Sequence, residues 1–213
     1  MDCMQGMKEF PDKYFDLAIV DPPYGIGENG DKNYTRAKLA KAKNYKAFSG
    51  NDIEPPSKEY FDELFRISKN QIIWGANHFI SKIPYDSSCW IVWDKDNGDN
   101  DFADCELAWT SFDSAVRKFK YRWKGMLQEN MKNKEIRIHP TQKPVALYEW
   151  LLNRYTKPND IILDTHVGSA SSLIACHNTN HKFVGFELDE YYYKVSKQRL
   201  DTEMAQMRLS DFM

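Results

Sequence analysis

The sequence predicts an α/β fold: a doubly wound, mostly parallel, Rossmann-like sheet with helices on both faces. Two apolar runs, Phe15 to Val20 and Ile161 to Leu163, are each followed by an aspartate, as expected of buried strands that present a carboxylate at their carboxyl ends. Helical segments alternate with strand candidates, and 213 residues suit one domain with a continuous core. Ligands of such sheets bind at the switch point, so we expect Asp21 and Asp164 to lie side by side there.

Further elements are predicted between and after these two runs. The strand candidates are Gln71 to Trp74, Trp90 to Trp93, Glu106 to Thr110, Lys118 to Trp123 and Lys182 to Phe186. The helix candidates are Ser57 to Ser68, Pro144 to Tyr155, Ser169 to His177 and Asp189 to about Met207. Residues 25–56 contain no convincing strand or helix, and a segment of that length is usually functional or disordered.

The composition indicates a cellular compartment but no binding partner. The formal net charge is −2, which gives no global sign of a polyanion partner. The four cysteines lack paired spacing, and the chain has neither a secretory signal nor an apolar run long enough to span a membrane. We therefore expect a cytoplasmic protein with free thiols. Cys176, His177 and His181 lack a second ligand pair, so we expect no metal site.

The turn Asp21-Pro22-Pro23-Tyr24 is the predicted catalytic centre. Its two prolines fix φ and remove two N–H donors, which leaves the Asp21 carboxylate and the Pro22 carbonyl as acceptors. Two acceptors and the aromatic face of Tyr24 suit an arylamine substrate, whose two N–H groups are bound while its ring stacks. The alternative is an ordinary proline turn after a strand.

A second set of residues favours a nucleoside cofactor. Small residues follow Asp164, from Gly168 to Ser172, and lead directly into a predicted helix, so the backbone can approach a ligand there. About twenty residues later a strand candidate ends beside Glu187, where a Rossmann-like fold holds ribose hydroxyls. Turns rich in small residues also occur in folds that bind no nucleotide, and that alternative stays open.

The motif Asp21-Pro22-Pro23-Tyr24-Gly25 resembles the DPPY motif of DNA amino-methyltransferases, and the motif order along the chain is similar to their β-class, in a small phage-like or orphan form. The resemblance implies an S-adenosyl-L-methionine (AdoMet)-dependent enzyme in which Asp21 and the Pro22 carbonyl hold a flipped base and Tyr24 stacks on it. The implied catalytic residues are Asp21, Pro22, Pro23 and Tyr24.

Aspartate rather than serine at the first motif position favours the adenine 6-amino group. A cytosine 4-amino enzyme is the alternative. A catalytically weak DNA-binding module is a third possibility, because the cofactor loop departs from the family pattern at Thr165, His166, Ala170 and Ser171.

The resemblance also implies the cofactor contacts. The segment His139 to Pro144 is similar to the family segment beside the methionine half of AdoMet, and Asp2-Cys3 stands where the family caps the adenine. The predicted cofactor-binding residues are Asp2, Cys3, Asp21, His139, Thr141, Gln142, Lys143, Asp164, His166, Gly168, Ser169, Glu187 and Leu188.

Double-stranded DNA is the expected partner. Cations alternate with aromatic residues from Arg117 to Lys124, which predicts one cationic strand face, although a merely solvated face is the alternative. The predicted DNA-binding residues are Lys32, Arg36, Lys38, Lys41, Lys43, Lys118, Lys120, Arg122 and Lys124. We expect a single methyltransferase domain over 1–213, with a basic loop at 25–56 and a small target-recognition insertion at 112–138. An insertion this small indicates a short recognition site or a homodimer.

Overall fold

The computed structural model describes residues 1–27, 45–46, 52–98, 103–124 and 127–206, and within them the chain forms an α/β sheet structure. The strands are β1 Phe15–Val20, β2 Ser68–Trp74, β3 Trp90–Asp94, β4 Cys105–Thr110, β5 Arg117–Lys120, β6 Trp123–Lys124, β7 Leu127–Gln128, β8 Ile161–Asp164 and β9 Lys182–Gly185. The helices are α1 Cys3–Met7, α2 Lys58–Ile67, α3 Val145–Tyr155, α4 Ser171–Asn178 and α5 Glu190–Met204. No helix in these ranges is long and apolar enough to cross a membrane.

The main sheet has the strand order β5-β3-β4-β2-β1-β8-β9, and β6 and β7 form a separate hairpin. β1 runs parallel to both β2 and β8, and β8 runs parallel to β9. β4 is antiparallel to its neighbours β2 and β3, while β3 and β5 are parallel. The predicted mostly parallel sheet is confirmed.

Both faces of the sheet are buried. In β1, Ala18 and Val20 belong to the core under α2, whereas Leu17 and Ile19 belong to the core under α3 and α4. The helix that follows β1 and the helix that follows β8 therefore cover opposite faces. Because β1 and β8 are adjacent, with Leu17 opposite Ile162, the switch point lies between the two strands that end at the predicted aspartates.

Besides shifts at element ends, such as β2, which begins at Ser68 and not at the predicted Gln71, three differences from the sequence prediction stand out. A continuous strand from Lys118 to Trp123 is wrong, because β5 ends at Lys120 and Trp123 starts the β6–β7 hairpin. α4 begins two residues after the predicted start, because Ala170 has a left-handed backbone with φ of 62°. The short helix α1 was not predicted from sequence. It begins after Asp2, whose carboxylate accepts from two backbone N–H groups.

Hydrogen bonds join residues 25–27, which follow the predicted catalytic turn, to Asp52. The Asp52 side chain accepts from the backbone N–H of Gly25 at 2.7 Å and of Ile26 at 3.3 Å, and the Asp52 carbonyl accepts from Gly27 at 2.6 Å. Gly25 has φ of 74° and Gly27 has φ of 71°, a backbone conformation that favours glycine. The predicted catalytic turn therefore continues into a fixed bend.

Candidate active site

The predicted catalytic turn stands at the carboxyl end of β1. Asp21 follows the last strand residue, and its side chain is 14% exposed. The Tyr24 hydroxyl donates to Asp21 Oδ1 at 2.5 Å, so the turn closes on itself through these two side chains. Burial, followed by the charge of Asp21, raises the pKa of Tyr24 well above its usual value. Tyr24 is therefore a neutral phenol that acts as a hydrogen-bond donor.

The Tyr24 ring is held by residues that follow β2. Gly75 has φ of +67°, and a Cβ atom on it would lie 2.0 Å from Tyr24 Cε1, so only glycine fits there. His78 stacks on the Tyr24 ring with a centroid distance of 5.1 Å and an interplanar angle of 13°. Residues that follow β2 therefore hold the Tyr24 ring in position.

Lys143 places a buried cation on the carboxylate of Asp21, the predicted catalytic aspartate. Its Nζ lies 2.5 Å from Asp21 Oδ2, 3.2 Å from Tyr24 Oη and 3.0 Å from Glu106 Oε2, and its side chain is 4% exposed. Glu106, on β4, also pairs with Lys95 through its other carboxylate oxygen. The site therefore contains a chain of alternating charges from Asp21 to Lys95.

The pKa shifts keep these groups charged. Burial alone would lower the pKa of Lys143, but the carboxylates of Asp21 and Glu106 raise it above its ordinary value. Burial alone would raise the pKa of Glu106, but Lys143 and Lys95 lower it to about 2. Both residues are consequently ionised at neutral pH.

The predicted cofactor loop begins at the carboxyl end of β8. Asp164 is buried, and its carboxylate accepts from the His166 backbone N–H at 2.9 Å and from the Ser172 hydroxyl. Burial raises the pKa of Asp164 to about 7. Gly168 and Ala170 both have positive φ, of 54° and 62°. These two residues turn the chain tightly into α4.

Glu187 joins this loop to the start of α5. Its Oε2 accepts from the Gly168 N–H at 2.8 Å, and its Oε1 accepts from the Asp189 N–H at 2.9 Å. The His139 ring contacts Tyr192 of α5 with a centroid distance of 4.4 Å. Burial lowers the pKa of His139 and of His166 to about 4, so both imidazoles are neutral at pH 7. The segment at His139, the loop and α5 therefore meet at one place.

The amino-terminal residues lie against the same place. The Met1 amino group donates to the Glu187 carbonyl at 2.8 Å, and the charge of Asp2 acts on His166. The Cys3 thiol is neutral, because burial and the charge of Asp2 raise its pKa to about 11. Leu188 is 60% exposed beside Glu187. The structure thus brings the predicted residues from three distant parts of the sequence together.

Three predicted cofactor residues contact other parts of the chain: two contact their own loop, and Ser169 contacts α5. The Gln142 side chain accepts from the Ile138 N–H at 2.8 Å, and Thr141 Oγ1 is 3.0 Å from His139 Nδ1. The Ser169 carbonyl accepts from Arg199 at 2.8 Å. These contacts support the loops that carry the site, and a direct contact with a cofactor stays a prediction for all three.

The predicted DNA-binding residues divide into two groups. Lys32, Arg36, Lys38, Lys41 and Lys43 lie outside the described residues. The cations on and after β5 pair with acids: Lys118 with Asp94 at 3.3 Å, and Lys120 and Arg122 with Asp96 at 2.8 and 2.5 Å. Lys124 donates to the Asn97 carbonyl at 2.9 Å. Exposed pairs of this kind contribute little to stability because solvent screens them, so DNA phosphates can replace the acids. DNA contact by these residues stays a prediction.

Sequence reasoning missed the residues that support Tyr24 and Lys143. These are Gly75, His78, Lys95 and Glu106. Two signals were available: Glu106 is a charged residue next to the apolar run of β4, and Gly75 directly follows the apolar end of β2. Neither signal indicates which residue Glu106 or Gly75 contacts, because these contacts join distant parts of the sequence.

Comparison with known proteins gives a family and a fold. A model of the family described as DNA methylase, of the N6/N4 type, matches residues 37–198. The type II methyltransferase M.HpaI of Haemophilus parainfluenzae is 28% identical over 95% of this chain and 73% of its own length. The type II methyltransferase M.HinfI of Haemophilus influenzae is 27% identical over 93% of this chain and 66% of its own length.

A solved structure with a similar fold is the complex of M1.HpyAVI with S-adenosyl-L-methionine. It aligns with a TM-score of 0.57 and 24% identity, covering 93% of this chain and 96% of that protein. At this identity the match supports the methyltransferase fold and carries no residue roles.

Proposed function

Because the chain belongs to the DNA methylase family, we propose that it transfers a methyl group from AdoMet to the 6-amino group of adenine in DNA. The family includes enzymes that act on the adenine 6-amino or the cytosine 4-amino group. The choice of adenine is our proposal. It rests on Asp21, because the resemblance associates aspartate at this position with adenine and serine more often with cytosine.

One observation carries the proposal: β1 and β8 are hydrogen-bonded neighbours. Parallel neighbours end at the same edge of a sheet, so the Asp21 turn and the loop after Asp164 share one edge. The charge of Asp21 accordingly acts on Asp164. A base held by the turn and a methyl donor held by the loop would be close enough to react.

The residues of the loop fit AdoMet. The ligand carries a sulfonium and an ammonium group, and the loop region offers the carboxyl groups of Asp164 and Glu187 together with two neutral imidazoles. Neutral His139 and His166 add no positive charge beside a cationic ligand. We propose Glu187 as the acceptor for the ribose hydroxyls. AdoMet supplies a methyl group bound to a positively charged sulfur.

The residues of the turn fit the amine that attacks this methyl group. The base must leave the duplex, and stacking on Tyr24 offsets part of that cost, with about 1–3 kcal/mol. Asp21 and the Pro22 carbonyl accept the two N–H bonds, which favours a nitrogen whose lone pair points at the methyl carbon. With AdoMet bound, transfer would form the N–C bond and break the S–C bond, leaving the electron pair on sulfur. Asp21 would accept the proton that the nitrogen then releases.

The test uses AdoMet with a labelled methyl group, mixed DNA and two variants. We expect label on 6-methyladenine with the unchanged protein. Asp21→Ala should abolish transfer, because the amino-group acceptor is lost. It should leave AdoMet binding nearly unchanged, because the loop after Asp164 and Glu187 are not altered. Glu187→Ala should instead raise the AdoMet dissociation constant.

Each other outcome of this experiment contradicts a stated part of the proposal. Label on 4-methylcytosine would replace adenine by cytosine. A pure protein that binds AdoMet but labels no DNA would support the catalytically weak DNA-binding module. Full activity of Asp21→Ala would refute the catalytic assignment, and an unchanged AdoMet titration of Glu187→Ala would refute the ribose assignment.

Three further expectations accompany the proposal. We propose that the cations predicted from sequence contact DNA phosphates and that residues 112–138 read the target sequence within a single domain. We further propose that either the recognition site is short or a homodimer completes the DNA-binding surface. In the described part of the insertion, β5 and the β6–β7 hairpin supply a small surface. A surface of that size suits a short site.

A further inference from the structure

Lys143 contacts the catalytic carboxylate rather than standing free beside the cofactor loop. Its ammonium lies 2.5 Å from Asp21 Oδ2, although 122 residues separate the two in sequence. The sequence prediction assigned Lys143 to the cofactor. The contact with Asp21 gives it a different task.

The prolines explain why Asp21 needs such a partner. A carboxylate at a strand end is commonly oriented by the backbone N–H groups that follow it, but Pro22 and Pro23 have none. Within the described part of the chain, the two contacts on the carboxylate come from side chains: the Tyr24 hydroxyl donates to Oδ1 and the Lys143 ammonium donates to Oδ2. Together they fix the rotation of the carboxylate plane.

These contacts leave Asp21 able to bind substrate. An ionised carboxylate has about four acceptor sites, and Tyr24 and Lys143 use one on each oxygen. As far as the described residues go, further sites on the carboxylate remain for an N–H of the target amino group. Lys143 therefore orients the acceptor without blocking it.

Glu106 explains how a lysine remains charged there. The Lys143 side chain is 4% exposed, and a buried ammonium needs compensating charge. Asp21 and Glu106 supply two carboxylates, and Lys95 balances the second from the far side of Glu106. If stability were the only role, an apolar side chain of similar volume would serve as well.

We propose that Lys143 is a positioning residue for methyl transfer, which holds the Asp21 carboxylate in its accepting orientation while Glu106 serves as its counter-ion. This inference rests on the proposed function and deepens it. It assigns Lys143 to the rate of the chemical step, whereas a cofactor ligand would act on AdoMet binding.

The decisive variant is Lys143→Met, which keeps an unbranched side chain and removes the charge. We expect kcat to fall about 100-fold, as for a misplacement of about 1 Å, while the KM for AdoMet changes less than threefold. Lys95→Met is the matched control, since it removes the other cation on Glu106 but does not touch Asp21. Its loss in kcat should be at least ten times smaller.

A second variant tests whether the loss of kcat comes from the lost orientation of Asp21 or from the unpaired charge of Glu106. It also tests whether Lys143→Met loses activity only because it is less stable. Lys143→Met combined with Glu106→Gln removes both charges, so it should be at least as stable as the single variant. We expect its kcat to stay low. A kcat within threefold of the unchanged protein, in either variant, would overturn the proposal. So would a loss confined to the KM for AdoMet.

Failure of this inference is distinguishable from failure of the proposed function. If the unchanged protein transfers no methyl group, the proposed function fails. If the unchanged protein is active, Asp21→Ala is inactive and Lys143→Met is fully active, only the role of Lys143 is refuted.

Discussion

The Tyr24 ring lies against the backbone of Gly75, and this contact shows how much the site depends on single positions. Gly75 combines a left-handed backbone with a close approach that a Cβ atom would prevent. Its N–H donates to the Leu107 carbonyl at 2.9 Å, which ties the turn to β4. A residue outside the proposed catalytic motif therefore determines where the Tyr24 ring can lie.

Gly75→Ala tests this dependence at the residue scale. The added methyl group would meet Tyr24 Cε1 at 2.0 Å, so the ring must move, and we expect kcat for DNA methylation to fall at least tenfold. Gly98→Ala is the matched control, because Gly98 also has positive φ, of +65°, but has no atom within 4 Å of the new methyl group. Equal losses in the two variants would mean that backbone strain alone, and not the Tyr24 contact, is responsible.

At the residue scale, the sequence predicted which residues belong to the site better than which residues contact each other. The Asp-Pro-Pro-Tyr turn was predicted because its chemistry lies within four consecutive residues. The Lys143 contact with Asp21 and the Gly75 contact with Tyr24 were not, because each joins separate elements and depends on strand order. Periodicity and motif spacing contain no information on such pairs.

Among the elements, α5 has the clearest start. Asp189 accepts from the backbone N–H groups of Tyr191 at 2.8 Å and Tyr192 at 3.0 Å, which satisfies two donors that the helix cannot pair itself. Tyr192, in this first turn, also contacts His139. The cap therefore holds an element that forms one side of the proposed cofactor site.

Asp189→Ala should lower the free energy of unfolding by about 1 kcal/mol, as for the loss of a helix cap, and should weaken AdoMet binding through the shifted first turn. Asp189→Asn keeps an oxygen acceptor and is expected to retain most of both. Chemical denaturation and AdoMet titration measure the two effects. If the alanine and asparagine variants lost equal stability, the cap would not be the cause.

Element boundaries were predicted best where an uninterrupted apolar run marks the strand. Phe15–Val20 was predicted to the residue because all its side chains except Asp16 are buried in one of the two cores. The start of β2 at Ser68 was missed, because its first three residues, Ser68 to Asn70, are polar. The error from Lys118 to Trp123 arose because aromatic residues alternate with cations through the turn at Tyr121, where the backbone leaves β5. A pattern of period two does not distinguish a strand from a strand followed by a turn.

For the whole molecule, two buried histidines make stability depend on pH. The pKa of His139 and of His166 is about 4 in the fold and about 6.5 in the unfolded chain, so the unfolded chain binds the extra protons. Their contribution is complete above pH 6.5 and is lost as the pH falls towards 4. Asp164 acts in the opposite direction, because its pKa is raised to about 7 and it gains a proton in the folded state first.

The raised pKa values of Glu135 and Glu187 oppose the histidines as well, so the histidine contribution has to be measured as a difference between two proteins. We compare the unchanged protein with a variant in which asparagine replaces both histidines. From pH 6.5 to 4.5 we expect the free energy of unfolding of the unchanged protein to fall, relative to the variant, by about 2 kcal/mol per pH unit. Urea titrations of both proteins at the two pH values measure it, and an equal change in both proteins would contradict the prediction.

The topology at this scale followed from the sequence because strands and helices alternate and two strands end in aspartate. The antiparallel insertion of β4 between β2 and β3 was not predicted, since burial patterns carry no strand direction. This insertion brings Glu106 beside Lys143. A detail of topology therefore supplies one of the charges at the candidate site.

The pairing of β1 with β8 has a consequence for synthesis. Leu17 pairs with Ile162, so the ribosome releases the first strand long before its partner exists. Until β8 has been made, the edge of β1 that pairs with β8 stays open, and the residues of β1 are mostly apolar. A surface of this kind promotes aggregation of nascent chains. Translation pauses or chaperone supply while residues 21–160 are being made should therefore affect the yield of native protein more than later delays do.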